Sequence, residues 1–238
     1  MCVPADLAAG KPIVLRFSTT VLCTTGLAAE ARIARAAGFS TVVGAGDRDR
    51  TAALVESAVR QANCLVSFGI AGGLAPELRA GDVVISTEVL SDSDRWQPEG
   101  SFRIRVAGLA AGIGAVEGPV LGTSRIMSST AEKRRTWAQT GALAVDHESD
   151  VVARIATSAG IPFVVVRTIA DTAYRELPPA ALIPLAEDGT PKLAHVFASV
   201  LCRPRQVAAL FGLARETRAA LAALVLPARA LYGLVATA

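Results

Sequence analysis

GALAVDHESDVVARIATSAGIPFVVVRTIADTA, residues 141–173, decides the fold because its periodicity changes twice. Ala142 to Val145 is a short apolar run. From Glu148 to Ala159 the apolar residues Val151, Val152, Ile155, Ala156 and Ala159 recur at helical spacing, and Gly160-Ile161-Pro162 ends that helix. Phe163 to Ile169 is then a nearly unbroken apolar strand. Two strands bracketing one helix make a βαβ unit, and a Phe-Val-Val-Val strand buried on both faces belongs in a parallel sheet. Ligands of such sheets sit beyond the carboxyl ends of the strands, which is where Asp146, His147, Glu148 and Asp171 fall.

Glu148 and Asp171 come from two strand ends of one unit, twenty-three residues apart in sequence. An ionised carboxylate there can accept hydrogen bonds from both hydroxyls of a sugar diol. A second carboxyl in a drier setting can stay protonated and act as a general acid. Read from spacing alone, the alternative that both residues only cap the segments after them stays open.

Two blocks resemble a known superfamily. AVDHESDVVARIATSAGIPFVVVRTIAD, residues 144–171, looks like the signature of the nucleoside phosphorylases and nucleosidases, a V-E-M-E-like motif, a helix, a P-F-V-V-V-R strand and a terminal Ser-Asp. SFGIAGGLAPELRAGDVVIST, residues 67–87, is similar to the G-x-A-G-G-L-x-P-x-L-x-x-G-D-V-V block of the methylthioadenosine and adenosylhomocysteine nucleosidases. The resemblance implies a three-layer α/β/α fold with a central mixed, mostly parallel sheet, and cleavage of a purine nucleoside. It implies that Asp171 protonates the base, that Glu148 holds the ribose, and that Glu30, in the turn Gly26-Leu27-Ala28-Ala29-Glu30, positions the attacking water. It sets Phe68, Ala71, Gly72 and His147 beside sugar and base, with Ile70 where the nucleosidases carry Ser or a similar polar residue and His147 where they carry Met. No cofactor is implied, with inorganic phosphate as a co-substrate if the reaction is phosphorolytic.

Composition fits one domain over residues 21–238, preceded by a poorly defined extension, 1–20, that makes a poor signal peptide. Of 238 residues 52% are hydrophobic and 19% charged, enough for a core and against disorder. The net charge of +3 and the lack of a dense basic run argue against nucleic acid as a partner. Cys2, Cys23, Cys64 and Cys202 lack metal-ligand or C-x-x-C spacing, which indicates free thiols and a reducing, cytoplasmic compartment, with Cys23 and Cys64 buried.

Further elements follow in order. Strands are expected over 21–24, 41–43, 64–68, 82–86 and 120–124, with helices from Glu30 to Ala37, Arg50 to Ala62 and Ala131 to Gln139 and within 103–119. Gly44-Ala45-Gly46-Asp47-Arg48 forms a strand-to-helix turn in which Gly46 and Arg48 could bind phosphate through bare amides and a guanidinium. Gly69 to Gly73 is expected as a tight loop. Trp96 could cover a substrate or anchor its own polar loop, residues 91–100.

The tail, with LPPAAL, a D-G-x-P-x-L turn, Arg203-Pro204-Arg205 and helices near 193–201 and 207–225, resembles the hopanoid-associated phosphorylases, which are thought to remove adenine from adenosylhopane. That resemblance implies a lipid-tailed nucleoside as substrate. Pro227 and Arg229 interrupt the apolar stretch from Ala219 short of the roughly twenty residues a membrane span needs. Arg203, Arg205, Arg215, Arg218 and Arg229 suit peripheral contact with anionic headgroups, although core packing and solvated arginines explain them too. A homo-oligomer is expected. Fold alone would also allow a nucleoside-binding protein without turnover, against which both acidic residues argue.

Overall fold

The computed structural model describes residues 20–236, so Cys2 and the expected extension, apart from Thr20, lie outside the described residues. The elements follow the chain as β1 (Val21–Thr25), α1 (Ala28–Ala37), β2 (Ser40–Val43), α2 (Arg48–Ala58), β3 (Cys64–Gly73) and β4 (Val83–Leu90). After them come β5 (Arg95–Trp96), α3 (Gly100–Ile113), β6 (Val116–Gly122), α4 (Thr130–Thr140), β7 (Ala144–Asp146), α5 (Ser149–Ala159) and β8 (Phe163–Asp171). The chain closes with α6 (Leu193–Cys202), α7 (Val207–Ala223) and α8 (Val225–Ala236).

The strands form one mixed sheet with helices on both faces, and β8 shows why the layers hold. Every residue of β8 is buried. Phe163 and Val165 point into a core cluster with Val55 of α2 and Val151, Val152 and Ile155 of α5. Val164 and Val166 point the other way, to Phe102 and Val106 of α3 and Leu224, Ala228 and Leu231 near the C-terminus. A period of two in a fully buried strand serves two helical layers at once. The helical spacing expected for α5 holds for Val151, Val152, Ile155 and Ala156, whereas Ala159 is exposed in the last turn.

The pairings also close on themselves. β3 pairs with β8, β8 with β4, β4 with β6, β6 with β7, and β7 returns to β3, making a five-strand ring from which β1 and β2 extend. This corrects the reading of 141–173 as a parallel βαβ unit, because β7 runs antiparallel to β3 while β8 runs parallel to it. The three-residue β7 takes its direction from ring closure. As a result Val145 and Asp171 both lie opposite Gly72, one on each side of β3.

A second correction concerns Gly69 to Gly73, which is strand and not loop. It pairs with β8 and β7, with a bulge between Ala71 and Gly72. The glycines serve close approach, since a Cβ on Gly69 would lie 2.6 Å from Glu30 Oε1 and one on Gly72 3.3 Å from Asp171 Oδ2. Trp96 pairs through β5 with Val89 and packs on the core, so it anchors its own loop.

The expected break at Pro227 is absent. Pro204–Val235 is helical and, by length and a mean hydropathy of 1.4, apolar enough to cross a membrane. Pro227 falls in the first turn of α8, where a missing N–H costs no helical bond. The stripe Ala220, Leu224, Ala228, Leu231 and Val235 is buried against the core, while most of the helix is not. Cys23 and Cys64 are buried as expected; burial pushes the Cys64 thiol up to about 12 and raises that of Cys23 as well, which makes both packing residues.

Candidate active site

A cavity of about 790 Å³ opens where α1, the β2–α2 turn, β3, β7 and β8 converge. That is in the upper part of the roughly 300–1,000 Å³ usual for small-molecule sites. It is lined by Glu30, Asp146, His147, Glu148, Arg167 and Asp171, by the charged Arg50, Arg125, Glu187 and Lys192, and by apolar side chains that include Met127, Leu177, Ile183 and Leu213.

Glu30 sits at N3 of α1. Its Oε2 accepts from Gly26 N at 2.9 Å and Leu27 N at 2.8 Å, and its Oε1 accepts from Ile70 N at 2.7 Å. Burial is the main cause of a pKa raised to about 7, opposed by those amide donors and reinforced by the Glu148 charge. A carboxylate poised near neutrality is suited to general-base work.

Glu148, in the turn entering α5, accepts from Gly46 N at 3.0 Å, and burial raises its pKa, with Arg167 opposing. Gly44 and Gly26 leave room for it, as a Cβ on Gly44 would lie 2.6 Å from Glu148 Oε1. The neighbouring Asp146 caps α5 by accepting from Glu148 N and Ser149 N at 2.7 and 2.8 Å. Burial alone would raise the Asp146 pKa, but the Arg167 charge and hydrogen bond bring it below its ordinary value. Arg167 donates to Asp146 Oδ2 at 2.7 Å, Ser67 Oγ at 2.6 Å and Ser149 Oγ at 3.1 Å. His147 lines the cavity with Nδ1 2.7 Å from Thr123 O, so the proton facing that carbonyl is on Nδ1.

Asp171 ends β8 against Gly72, three residues along β3 from the Gly69 that faces Glu30, a separation of roughly 10 Å at the rise of a strand. Its Oδ2 accepts from Lys133 Nζ of α4. Burial raises the Asp171 pKa, and the Lys133 charge opposes it.

The structure therefore gathers Glu30, Phe68, Ala71, Gly72, His147, Glu148 and Asp171 around one cavity. It separates Arg48 from it. The Arg48 guanidinium donates to both oxygens of Asp150 and to His147 O at 3.2 Å, and the Gly46 amide is taken by Glu148. The guanidinium expected at this turn to meet phosphate is thus ion-paired and the amide occupied, while Gly46 itself lines the cavity. Sequence reading missed Arg167 and Lys133. An arginine following an apolar Phe-Val-Val-Val run was itself a signal, since a buried cation requires a buried acid; Lys133, in Glu-Lys-Arg-Arg on an otherwise polar helix, gave none.

Among the described residues no group of three or more His, Cys, Asp or Glu could hold a metal ion. The Phosphorylase superfamily pattern matches residues 19–203, about three-quarters of the chain. Similar solved structures include the 5′-methylthioadenosine/S-adenosylhomocysteine nucleosidase of Helicobacter pylori, at 14% identity and a TM-score of 0.65, covering 93% of this chain and 99% of that one. The corresponding Neisseria meningitidis enzyme, in complex with methylthio-immucillin-A, is 20% identical with a TM-score of 0.64, covering 90% and 99%. Helicobacter pylori futalosine hydrolase is 15% identical with a TM-score of 0.59, covering 84% and 97%. The chain belongs to the phosphorylase superfamily and is an enzyme of its glycosyl-cleaving kind.

Proposed function

We propose that this member of the phosphorylase superfamily hydrolyses the N-glycosidic bond of a purine nucleoside carrying an apolar 5′ substituent. The observation that carries the reading is the placement of buried carboxylates around one cavity, Glu30 and Glu148 at one end and Asp171 at the other end of the same stretch of β3, with a fourth, Asp146, paired to Arg167. Asp171 gives a proton to the imidazole ring of the departing base as the C–N bond lengthens. Glu148 holds the ribose diol. Glu30 takes a proton from the water that captures the anomeric carbon. Water is favoured over phosphate because the amides of Gly26, Leu27, Ile70 and Gly46 already serve carboxylates, and Arg48 is bound to Asp150. At the Glu30 end a phosphate dianion would meet acids where it needs donors, and a phosphorolytic reading would have to draw on Arg50, Arg125 or Lys192 elsewhere in the lining.

The apolar side chains of the lining support the apolar substituent. Burying hydrocarbon against them gains about 25 cal/mol per square ångström, before binding costs are subtracted. Methylthioadenosine fits this class, and adenosylhopane is its largest expected representative. The expected result is a higher kcat/KM for adenosylhopane in mild detergent than for methylthioadenosine, and a higher one for either than for adenosine. A wide margin for methylthioadenosine would reject the hopanoid substrate and leave a nucleosidase of the methylthioadenosine kind.

Replacing Glu148 by Gln is expected to weaken the charge-assisted bonds to the diol by about 1.5 to 3 kcal/mol, roughly ten- to a hundredfold in kcat/KM. Wild type should prefer ribosides to 2′-deoxyribosides and the variant should lose that preference. Equal handling of both by wild type would remove Glu148 from the diol.

A lipid-tailed substrate calls for a membrane surface. α6 exposes Leu193, Phe197 and Leu201 along one side, and Phe211 of α7 is exposed as well. Residues 191–215 carry Lys192, Arg203, Arg205 and Arg215 and no acid, so two copies meeting symmetrically there would set cation against cation, whereas anionic lipid complements the charge. Sedimentation with phosphatidylglycerol vesicles should carry the protein down, and Phe197→Ser/Leu201→Ser should release it. A stable dimer that ignores vesicles would give this face to the expected homo-oligomer instead.

A further inference from the structure

Lys133 is fully buried on α4, and the reaction as described does not use it. Its Nζ donates to Asp171 Oδ2, to Thr172 O at 2.9 Å and to Arg175 O at 3.0 Å. Three acceptors match the three protons of an ammonium group. Two of them are carbonyls of the segment just after β8, so the lysine holds both the Asp171 carboxyl and the backbone that carries it. The capping box of Ser129 and Glu132 fixes the α4 turn from which Lys133 reaches. The other charges near Asp171 are Arg175 and Glu216 of α7, which pair with each other.

Burying an ammonium costs several kcal/mol unless a charge partner and hydrogen bonds compensate. Here the compensation comes from the one carboxylate that the proposed reaction needs as an acid. We propose that Lys133 is a positioning residue for Asp171: it occupies Oδ2, leaves Oδ1 as the oxygen that carries the transferred proton, and stabilises the carboxylate once that proton has gone. The inference rests on the assignment of Asp171 as general acid. In the step, the Oδ1–H bond breaks and a base nitrogen takes the proton. The glycosidic electron pair leaves with the base, water bonds to the anomeric carbon, and Glu30 takes the water proton. Solvent then returns a proton to Asp171 and removes one from Glu30. The cation makes the departure of the proton favourable because the product is an ion pair in a dry setting.

The test is Lys133→Met with the best purine nucleoside substrate of the wild type. We expect kcat to fall about a hundredfold, the lower end of general-acid effects, with KM changing less than about threefold. Asp171 works protonated and Glu30 ionised, so kcat/KM against pH is a bell. Without the cation that opposes its rise, Asp171 titrates higher, and the arm it controls moves up in pH while the Glu30 arm stays near 7. A packing role alone would lower Tm and leave that arm in place. A kcat within threefold of wild type, or an unmoved arm in a folded variant, overturns the proposal.

Should the variant not fold, the wild type still answers, since the chain has three lysines, Lys11, Lys133 and Lys192. In ¹⁵N-lysine-labelled protein the slowly exchanging Lys133 ammonium signal should shift with pH at the midpoint of the Asp171 arm, and should lose that shift in Asp171→Asn. An ammonium signal indifferent to Asp171 overturns the pair. If wild type releases no base from any nucleoside, the reaction reading fails, and the labelled-lysine measurement still judges the pair by itself.

Discussion

Asp171→Asn is expected to lower kcat for purine release by about a hundredfold to ten-thousandfold, the scale of general-acid catalysis, in a protein that remains folded. The carboxyl lies at the end of a fully buried strand, with burial raising its pKa and Lys133 on one oxygen. An amide keeps the shape and can still accept from Lys133, but it has no acidic proton to give. The variant also leaves the Lys133 ammonium without its counter-charge, so Tm should drop as well, and circular dichroism at the assay temperature separates loss of chemistry from loss of fold. Near-wild-type turnover by folded Asp171→Asn would remove the residue from the mechanism.

Glu30→Gln is expected to cost about a hundredfold or more in kcat and to change the pH profile in a way that Asp171→Asn cannot. The base works ionised. Its pKa, raised to about 7 chiefly by burial, puts half of Glu30 in the protonated form at neutral pH, so one arm of the kcat/KM profile should have its midpoint near pH 7 in the wild type. The arm should vanish in the variant. The amide oxygen can still accept from Ile70 N or from the α1 amides, but its NH2 cannot accept, so one of these donors loses its partner and Tm should fall modestly. An unchanged arm near pH 7 would assign that titration elsewhere.

How much of this was legible in the sequence depends on the range of each interaction. Local rules found α5, whose apolar spacing and Gly160 stop match the structure, and the doubly buried β8. The same rules misread Gly69 to Gly73, because glycine runs usually mean turns; here they are strand positions emptied so that Glu30 and Asp171 can lie against the backbone. The direction of β7 depends on ring closure through β6 and β4, which no window around residue 145 contains. Arg48 looked available for an anion because its partner, Asp150, lies 102 residues away. Lys133 and Asp171 are 38 residues apart, in a helix that otherwise reads as solvated. The residues implied by resemblance, Glu30, Glu148 and Asp171, do converge on one cavity, although the sequence alone could not have distinguished them from caps.

The central claim is that water, activated at the Glu30 end, displaces a purine protonated at the Asp171 end. Methylthioadenosine, or its analogue with a longer apolar 5′ tail, incubated with the enzyme in H₂¹⁸O and followed by mass spectrometry with and without phosphate, tests it most directly. The account predicts free adenine and a free sugar carrying one ¹⁸O at its anomeric carbon, at a rate indifferent to phosphate. A sugar 1-phosphate formed only when phosphate is present, or no release of base at all, would contradict it.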